Sequence, residues 1–329
     1  MTAPLALTSG DPAGIGPEIT LSAWQRLRNA LPFVLIGDAD HMSVLGRKRE
    51  VPVERVSTVA DAAKVMPRAL PVLHQPLASA PIAGKPDLAN ASATIASIDR
   101  AVALAQDGTA AAVVTNPISK KVLVDGAGFA HPGHTEYLAA LGGVSRSVMM
   151  LVAPDLRAVP VTIHVPISAV PELLTPALIT ETIRIVHTAL RRDFSIAAPR
   201  IAVAGLNPHA GEAGLMGTED ESVIRPALDA LRAEGMDLRG PLPADTMFHP
   251  PARAGYDAAV CMYHDQALIP VKTLGFSVGV NVTLGLPFVR TSPDHGTAFD
   301  IAGKGQADPD SLVEALRQAQ QIAANRGTS

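Results

Sequence analysis

Cysteine, excess positive charge and long apolar runs are what this sequence has little of. Its 329 residues include one cysteine, Cys261, which excludes an internal disulfide and, inside the apolar run AAVCMYH, predicts a buried structural thiol. Lys and Arg total 27 against 31 Asp and Glu, so neither nucleic acid nor an anionic membrane is an expected partner. No apolar run approaches the length of a membrane span, and MTAPLALTSG has no basic leader region. A cytoplasmic location is expected.

Length and periodicity predict a two-domain α/β protein. A chain of 329 residues, 47% of them hydrophobic, exceeds what one core usually supports. Short apolar runs alternate with longer helical patterns, which is typical of βαβ units and a largely parallel sheet. The runs that predict strands are PFVLIG, AAVVTNP, VPVTIHV, IAVAGLN and AAVCMYH, and the clearest helical patterns are ATIASIDRAVALAQ, ALITETIRIVHTALRR, SVIRPALDALRAEG and DSLVEALRQAQQIAA.

A glycine-rich turn follows the first predicted strand, in LTSGDPAGIGPE. Gly14 and Gly16 lead into a helix with Pro17 at its predicted first position and Glu18 in its first turn. Such a turn lets a nucleotide or phosphate approach the backbone, although a purely structural turn has the same pattern. Asp38, after the next strand, imitates the ribose-binding acid of a Rossmann domain, but the glycine order G-x-x-x-G-x-G does not match that fingerprint.

Three histidines close apolar runs and open polar turns. They are His164 in VTIHVPIS, His209 in LNPHAGE and His264 in MYHDQ. The ends of parallel strands can bring such residues together, so the three imidazoles are a candidate metal site. Each histidine taken alone is more often an ordinary hydrogen-bonding residue, and their long spacing does not place two of them on one helix face.

Two segments resemble the paired cofactor loops of isocitrate and isopropylmalate dehydrogenases. GDPAGIGPE near the start and HGTAFDIAGKG near the end occur in the same order as in those families. The resemblance implies a nicotinamide cofactor, with Asp300 at the position that binds the adenosine ribose and disfavours a 2′-phosphate. NAD is therefore expected over NADP, although Lys304 nearby could soften that preference. The residues assigned to the cofactor are Gly14, Gly16, His295, Gly296 and Asp300.

Nearly the whole chain is similar to the family of 4-hydroxythreonine-4-phosphate dehydrogenases, which serve pyridoxal phosphate biosynthesis. The motifs are LTSGDPAGIGPEI, TNPISK, HPGHTEYLA, HVPIS, LNPHAGEAGLMGTEDE, GPLPADT and YHDQALIPVK. The resemblance implies a divalent metal on His164, His209 and His264, shared across a homodimer. Imidazole ligands favour Zn or Co over Mg. The chain departs from many members at Leu215, where they carry a histidine.

The same resemblance implies a phosphorylated small-molecule substrate and its chemistry. A C3 hydroxyl is oxidised by hydride transfer, and the resulting 3-oxo acid loses CO₂. The residues matched to the substrate are His134, Thr135, Lys272, Asn281 and Arg290. Three residues remain open as the proton acceptor, namely Asp265, Asp245 and Lys120.

The resemblance also implies the domain division and leaves two alternatives. A cofactor-binding domain is expected over residues 1–125 and 285–329, and a metal-binding, substrate-binding and dimerisation domain over 126–284, with the active site in the cleft between them. Related dehydrogenases act on threonate or erythronate 4-phosphate, which the phosphate-binding set does not exclude, whereas dihydrodiols lack the phosphate. A non-enzymatic metal- or nucleotide-binding protein is the remote alternative.

Overall fold

Residues 3–327 are described by a computed structural model, and they form two compact units. The first comprises residues 3–147 and 286–327, and the second comprises 148–285. Residues 126–147, which the expected division gives to the metal-binding domain, pack within the first unit. The assignment of cofactor and metal to separate domains stays a prediction.

The strands and helices alternate along the chain as the sequence predicts. The strands within residues 3–327 are β1 (Leu5–Thr8), β2 (Phe33–Gly37), β3 (Val53–Val56), β4 (Leu70–His74), β5 (Val113–Val114), β6 (Val148–Ala153), β7 (Leu156–Pro160), β8 (Arg200–Ala204), β9 (Asp237–Leu242), β10 (Ala258–Cys261), β11 (Val280–Leu284) and β12 (Arg290–Pro293). The helices there are α1 (Gly16–Leu27), α2 (Ala39–Lys48), α3 (Val59–Val65), α4 (Ala91–Gln106), α5 (Lys120–Ala127), α6 (His134–Leu141), α7 (Val170–Leu173), α8 (Pro176–Arg192), α9 (Arg225–Ala233), α10 (Pro250–Arg253), α11 (His264–Gly275) and α12 (Asp310–Gly327). Within this described part, no helix has the length and apolar character needed to cross a bilayer.

The four helical patterns are confirmed as α4, α8, α9 and α12. Each buries one apolar stripe and exposes its polar face, as an amphipathic helix on a sheet does. The third pattern begins with a π-type turn over Asp220–Ile224 before α9 continues it. α1 begins at Gly16 with Pro17 and Glu18 in its first turn, as the sequence predicts.

The first unit contains a fully parallel sheet with the strand order β3-β4-β2-β1-β5-β12. A Rossmann sheet has a different order, and Asp38 has a different task here. The Asp38 carboxylate caps α2, accepting from the backbone N–H groups of Asp40 and His41 at 2.8 and 3.0 Å and from that of Leu77 at 2.9 Å. The strand order and this capping role both argue against the Rossmann alternative.

The second unit has the strand order β11-β6-β7-β10-β8-β9. β6 is antiparallel to both of its neighbours, while β7, β10, β8 and β9 run parallel. The carboxyl ends of β7, β10 and β8 are therefore adjacent at one edge of the sheet. The three predicted metal ligands follow those ends, one per strand.

Two strand predictions in this unit have different outcomes. The predicted strand VPVTIHV is only partly confirmed, because β7 ends at Pro160. The backbone N–H groups of Val161 and Thr162 still donate to Cys261 and Met262 at 2.8 and 3.2 Å, and the chain then turns away with His164 at a φ of 50°. Cys261 in β10 is a buried free thiol, as predicted, and burial raises its pKa well above the usual value.

Candidate active site

The two predicted cofactor loops pack against each other in the first unit. Ile15 donates its backbone N–H to the carbonyl of Thr297 at 3.0 Å. A Cβ at Gly14 would lie 2.9 Å from that same carbonyl, and one at Gly16 would lie 3.0 Å from the carbonyl of Ser9. Gly14 therefore has no room for a side chain, and at Gly16 a Cβ would fit only if the backbone shifted by a few tenths of an ångström.

A buried carboxylate ties the first turn of α1 to the end of the C-terminal loop. Glu18 accepts from Arg49 at 2.7 Å and from the backbone N–H of Gly305 at 3.2 Å. Its side chain is largely enclosed, so the ion pair is shielded from solvent. This contact fixes the 295–305 segment on the glycine turn.

The residues of the C-terminal loop that are matched to the cofactor are exposed or half-buried. Gly296 and Asp300 are exposed, and a Cβ at Gly296 would meet no described atom within 4 Å. His295 is half-buried, and its Nε2 atom has no hydrogen-bond partner among the described residues. An enclosed ring nitrogen beside open backbone fits a polar ligand, which would supply the missing partner.

A buried arginine marks a candidate anion site in the same unit. Arg290, the first residue of β12, is 3% exposed and donates from Nη2 to Thr115 Oγ1 at 2.7 Å. His134 and Thr135 begin α6, and the preceding Gly133 has no side chain to cap the first N–H groups of that helix. Free N–H groups at a helix start and a buried guanidinium both favour an anion.

The charge states at this site also favour an anion. Burial lowers the pKa of Arg290 to about 10, so its guanidinium still carries a charge at neutral pH. Burial, and then the positive charge of Arg290, hold the pKa of His134 well below its usual range. The imidazole is therefore neutral beside a cation, and its enclosed Nε2 has no hydrogen-bond partner among residues 3–327. A phosphate would neutralise the arginine and offer acceptor oxygens to both groups.

The TNPISK segment follows β5 and ends at Lys120, the first residue of α5. Asn116 is fully buried and donates from Nδ2 to the carbonyl of Thr8 at 3.0 Å and to Thr20 Oγ1 at 2.9 Å. It thus joins β5 to β1 and α1. Lys120 begins α5 with its side chain exposed, behind the helix-capping residue Ser119.

In the second unit, two of the three predicted metal ligands lie side by side. The imidazole centroids of His164 and His264 are 5.7 Å apart, and both rings line a cavity of about 330 Å³. His264 begins α11, and its Nδ1 donates to the Asp265 carboxylate at 2.7 Å. That hydrogen bond fixes the ring and leaves Nε2 as the ligand atom, which is the usual arrangement at a metal-binding histidine.

Two side chains connect the three loops that carry these histidines. Thr162 donates from Oγ1 to the carbonyl of Met262 at 2.8 Å, which joins the His164 loop to the His264 turn. Gln266 is buried, accepts from the Met262 N–H at 2.6 Å and donates to the carbonyl of Gly205 at 2.8 Å. Gly205 opens the loop that carries His209. The sequence analysis did not identify either residue.

His209 lies in an unusual left-handed turn. Residues 209–213 all have positive φ values between 41° and 79°, although only one of the five is glycine. Each non-glycine residue in this conformation costs about 1 kcal/mol or more, so the surroundings must hold it in place. His164 also has a positive φ, of 50°. Backbone strain at two predicted ligands is typical of functional sites.

The buried carboxylate of Asp220 holds the start of this turn. Its oxygens accept from the backbone N–H groups of Leu206 and Asn207 at 2.8 and 3.2 Å and from Asn207 Nδ2 at 2.9 Å. Asp220 is 0% exposed. The carboxylate therefore supplies the acceptors that position the segment leading to His209.

Replacing Asp220 with asparagine is expected to lower the free energy of unfolding by about 2–3 kcal/mol. The amide places N–H groups against N–H donors, which leaves buried donors unpaired. Urea denaturation measures the loss, and Asp237→Asn is the matched control because Asp237 is exposed and the change there is worth no more than about 0.5 kcal/mol. Equal stability of the two variants contradicts the role assigned to Asp220.

The imidazoles fit a divalent cation of the zinc or cobalt type, since both bind nitrogen readily. Among residues 3–327, however, no group of three or more His, Cys, Asp or Glu side chains is arranged to hold a metal ion. The structure thus brings His164 and His264 together within one chain, and the three-histidine set stays a prediction.

The remaining predicted site residues of the second unit are more dispersed. Asp245 is exposed in a short turn over Ala244–Thr246. Asn281 lies in β11 with its Oδ1 enclosed and without a hydrogen-bond partner in the described part of the chain. Lys272 lies on α11, with its amine 5.5 Å from the ring centre of Phe276. Leu215, the expected departure from the family pattern, is 83% exposed.

The buried arginine and the histidine pair suit an α/β enzyme that acts on a small anionic substrate. A family model described as "Pyridoxal phosphate biosynthetic protein PdxA" matches residues 29–319. The chain belongs to this family.

Proteins of similar sequence match this chain over nearly its whole length. The chain is 59% identical over 331 residues to a 4-hydroxythreonine-4-phosphate dehydrogenase of Methylorubrum extorquens, covering 97% of this chain and 94% of the relative. It is 57% identical over 324 residues to the enzyme of the same name from Roseobacter denitrificans, with 98% of each covered. The crystal structure of the Klebsiella pneumoniae 4-hydroxythreonine-4-phosphate dehydrogenase matches with a TM-score of 0.89 at 39% identity, covering 98% of both chains.

Proposed function

We propose that this chain catalyses the NAD(P)-dependent oxidation of 4-phosphooxy-L-threonine to 2-amino-3-oxo-4-phosphooxybutanoate, which decarboxylates to 3-amino-2-oxopropyl phosphate. This reaction serves pyridoxal phosphate biosynthesis. The observation that carries the proposal is the buried Arg290 beside the neutral His134 at the start of α6, a setting that suits a phosphate ester. Relatives that share 57–59% of the sequence bear the corresponding enzyme name.

The proposed mechanism divides the work between the two groups of residues. Arg290, His134 and Thr135 bind and orient the phosphate, so that the C3 hydroxyl is presented in one geometry. His164, His209 and His264 would hold a divalent cation, which when bound polarises the C3 oxygen and stabilises negative charge there during decarboxylation. Gly14, Gly16, His295, Gly296 and Asp300 would hold a nicotinamide cofactor, which would supply the hydride acceptor. Asn281 and Lys272 are proposed as further polar contacts to the substrate.

The proton acceptor is one of three residues with different surroundings. The Asp265 carboxylate is engaged by His264 Nδ1 at 2.7 Å, which supports an orienting role for it. Asp245 and Lys120 are exposed, and either can take the hydroxyl proton directly or through water. Asp265→Asn should therefore weaken metal binding, while loss of the true acceptor should lower kcat with the metal retained.

Turnover of two related substrates tests the proposed function. NADH formation at 340 nm is measured with purified protein, NAD and 4-phosphooxy-L-threonine, with and without added Zn or Co, and in parallel with D-threonate 4-phosphate. Metal-dependent turnover of the amino acid alone is the expected result. Turnover of D-threonate 4-phosphate alone would identify the enzyme as a sugar-acid dehydrogenase and contradict the proposed substrate.

NAD is the proposed cofactor, because the resemblance assigns Asp300 to the adenosine ribose, and an exposed carboxylate there would repel a 2′-phosphate. We expect kcat/KM to be at least about tenfold higher with NAD than with NADP, from roughly 1.4 kcal/mol of repulsion. Asp300→Asn should reduce that ratio, whereas Asp308→Asn, on the same C-terminal segment, should not. Equal efficiencies of the wild type with the two cofactors contradict the assignment.

We further propose that the chain acts as a homodimer with the metal site shared across the interface. Most of the large exposed apolar side chains lie in the second unit, on or beside the segments that carry the three histidines. They are Val165, Ile167, Leu173, Leu215, Met216, Ile269, Leu274 and Phe276. An exposed apolar surface of this kind supports a protein interface around the site.

A cytoplasmic location, where reducing conditions keep Cys261 free, stays a prediction.

A charge in this apolar surface should separate the subunits. Ile269→Glu, at a position 64% exposed on α11, is expected to yield a monomer that loses bound metal and activity together. Ile82→Glu, at a 60% exposed apolar position of the first unit, is the matched control and should remain dimeric. Light scattering during size-exclusion chromatography measures the mass, and a fully active monomer refutes the shared site.

A further inference from the structure

A second polar cavity lies in the second unit, away from the three histidines. Its volume is about 450 Å³, and its charged lining comprises Arg157, Arg200, Arg253, Asp155 and Asp257. Arginine is the side chain best suited to grip carboxylate or phosphate oxygens, since its planar N–H groups match them in pairs. With three guanidinium groups and two carboxylates, the cavity lining carries a net positive charge.

The cavity lies at the opposite ends of the strands that lead to the histidines. Arg157 is the second residue of β7, Arg200 is the first of β8, and Asp257 directly precedes β10. These strands have four or five residues, so the two ends are separated by roughly 15 Å at about 3.3 Å per residue. The cavity is thus distinct from the candidate metal site.

One ion pair in the cavity is satisfied internally. Arg200 donates from Nε and Nη2 to the two carboxylate oxygens of Asp257 at 3.2 and 3.0 Å, and Asp257 also accepts the backbone N–H of Arg200 at 2.8 Å. Arg200 further donates to the carbonyl of Ala254 at 3.3 Å. This pair forms a wall of the cavity, and its charges cancel.

The other two arginines keep donors available. Arg157 donates from Nη1 to the carbonyl of Asp257 at 3.1 Å, and its guanidinium carbon lies 4.8 Å from the ring centre of Phe194. Arg253 donates from Nη1 to the carbonyl of Phe248 at 2.6 Å. The Nε atoms of both arginines are enclosed and have no hydrogen-bond partner within residues 3–327. Neither guanidinium is therefore saturated by the chain, and an anion in the cavity would offer acceptors to the N–H groups that line it.

The rest of the lining is apolar or weakly polar. Val152, Leu156, Pro250 and Tyr256 contribute to it, and Tyr256 is held by a 3.0 Å hydrogen bond from its hydroxyl to the carbonyl of Met247. Asp155 also lines the cavity and is exposed, so its carboxylate is solvated. A ligand with an anionic head and a small apolar body would match both parts of this lining.

We propose that the cavity lined by Arg157 and Arg253 binds a small phosphate monoester with an apolar body, at a site separate from that of the substrate. Phosphate offers three oxygens to two guanidinium groups, and the apolar wall accommodates the attached group. Binding here does not depend on turnover, so the site can exist whatever the reaction catalysed.

Calorimetric titration with phenyl phosphate and with inorganic phosphate tests this inference. The wild type should bind phenyl phosphate at two sites per chain, one at the substrate phosphate position and one in the cavity. Arg253→Gln and Arg157→Gln should each weaken binding at the cavity site about tenfold or more. Arg191→Gln changes an exposed arginine of the same unit outside the cavity and should leave binding at both sites unchanged. Thr135→Ala should weaken binding only at the substrate phosphate position.

Three outcomes would overturn the proposal. Stoichiometry of one site per chain that is lost in Thr135→Ala and kept in Arg253→Gln assigns all binding to the substrate position. Inorganic phosphate that binds the cavity more tightly than phenyl phosphate contradicts the apolar part. Unchanged titrations of both arginine variants, with their melting temperatures retained, exclude the cavity as an anion site. None of these results bears on the dehydrogenase reaction, which is measured separately by NADH formation.

Discussion

Replacing His264 with alanine is expected to lower kcat/KM for 4-phosphooxy-L-threonine by at least about a thousandfold and to remove bound divalent metal. Of the three predicted ligands, this ring is held best, because Asp265 fixes its Nδ1 and His164 lies beside it. Loss of charge stabilisation at the C3 oxygen would cost roughly 4 kcal/mol, which is about three orders of magnitude in rate. Metal content by mass spectrometry gives a readout that does not depend on activity.

Two further variants separate a ligand from a structural histidine. His187→Ala changes a half-buried histidine of α8 in the same unit and should leave metal content and kcat/KM unchanged. Asp265→Asn should weaken metal affinity about 10–100-fold, because the residue orients a ligand and does not supply one. If His264→Ala retains one metal per site and normal turnover, the three-histidine assignment is wrong.

The placement of these histidines shows what the sequence can predict. Short apolar runs that end in polar turns indicate strand ends, and parallel strands bring such ends to one edge of a sheet. The structure accordingly places β7, β10 and β8 side by side. The glycine turn before α1 is also predictable from the sequence, but the contact that its Gly14 makes with the backbone of Thr297 is not.

Residues whose role depends on distant contacts could not be predicted. Asp220 stands between two other acids, Glu219 and Glu221, and such a run is typical of a solvated surface. Only the folded chain shows that Asp220 is enclosed and accepts from the segment before His209. The left-handed turn at 209–213 is equally hidden, because four of its five residues are types that rarely adopt it.

The arginine-lined cavity is a third feature that the sequence does not indicate. Arg157, Arg200 and Arg253 are separated by more than forty residues each, and each alone reads as a surface charge. Their convergence follows from the strand order β7-β10-β8, which a sequence pattern does not specify. The boundary of the first unit likewise depends on packing, since residues 126–147 contain α6, whose Leu138 and Ala139 belong to the core of that unit.

Replacing Arg290 with glutamine is expected to raise KM for the phosphorylated substrate about a hundredfold and to abolish most of the preference for phosphate. Its guanidinium is buried, bonded to Thr115 and beside His134, so a phosphate there gains charge-assisted hydrogen bonds worth roughly 3 kcal/mol. Arg290→Lys keeps the charge but loses the paired N–H geometry, and should raise KM only about tenfold. Arg100→Gln, a half-buried arginine of the same unit that donates to the carbonyl of His74, is the matched control.

An unphosphorylated substrate makes this test independent of folding. Wild type should oxidise 4-hydroxy-L-threonine with a kcat/KM about a thousandfold below that of its phosphate ester, whereas Arg290→Gln should prefer the ester only about tenfold. A mere loss of folded protein would lower both rates equally and leave their ratio intact. Because burial lowers the pKa of Arg290 only to about 10, the wild-type ratio should stay constant between about pH 7 and 9 and fall as the pH rises through 10. A ratio in Arg290→Gln equal to that of the wild type would place the phosphate elsewhere, with His134 and Thr135 then reduced to structural residues of α6.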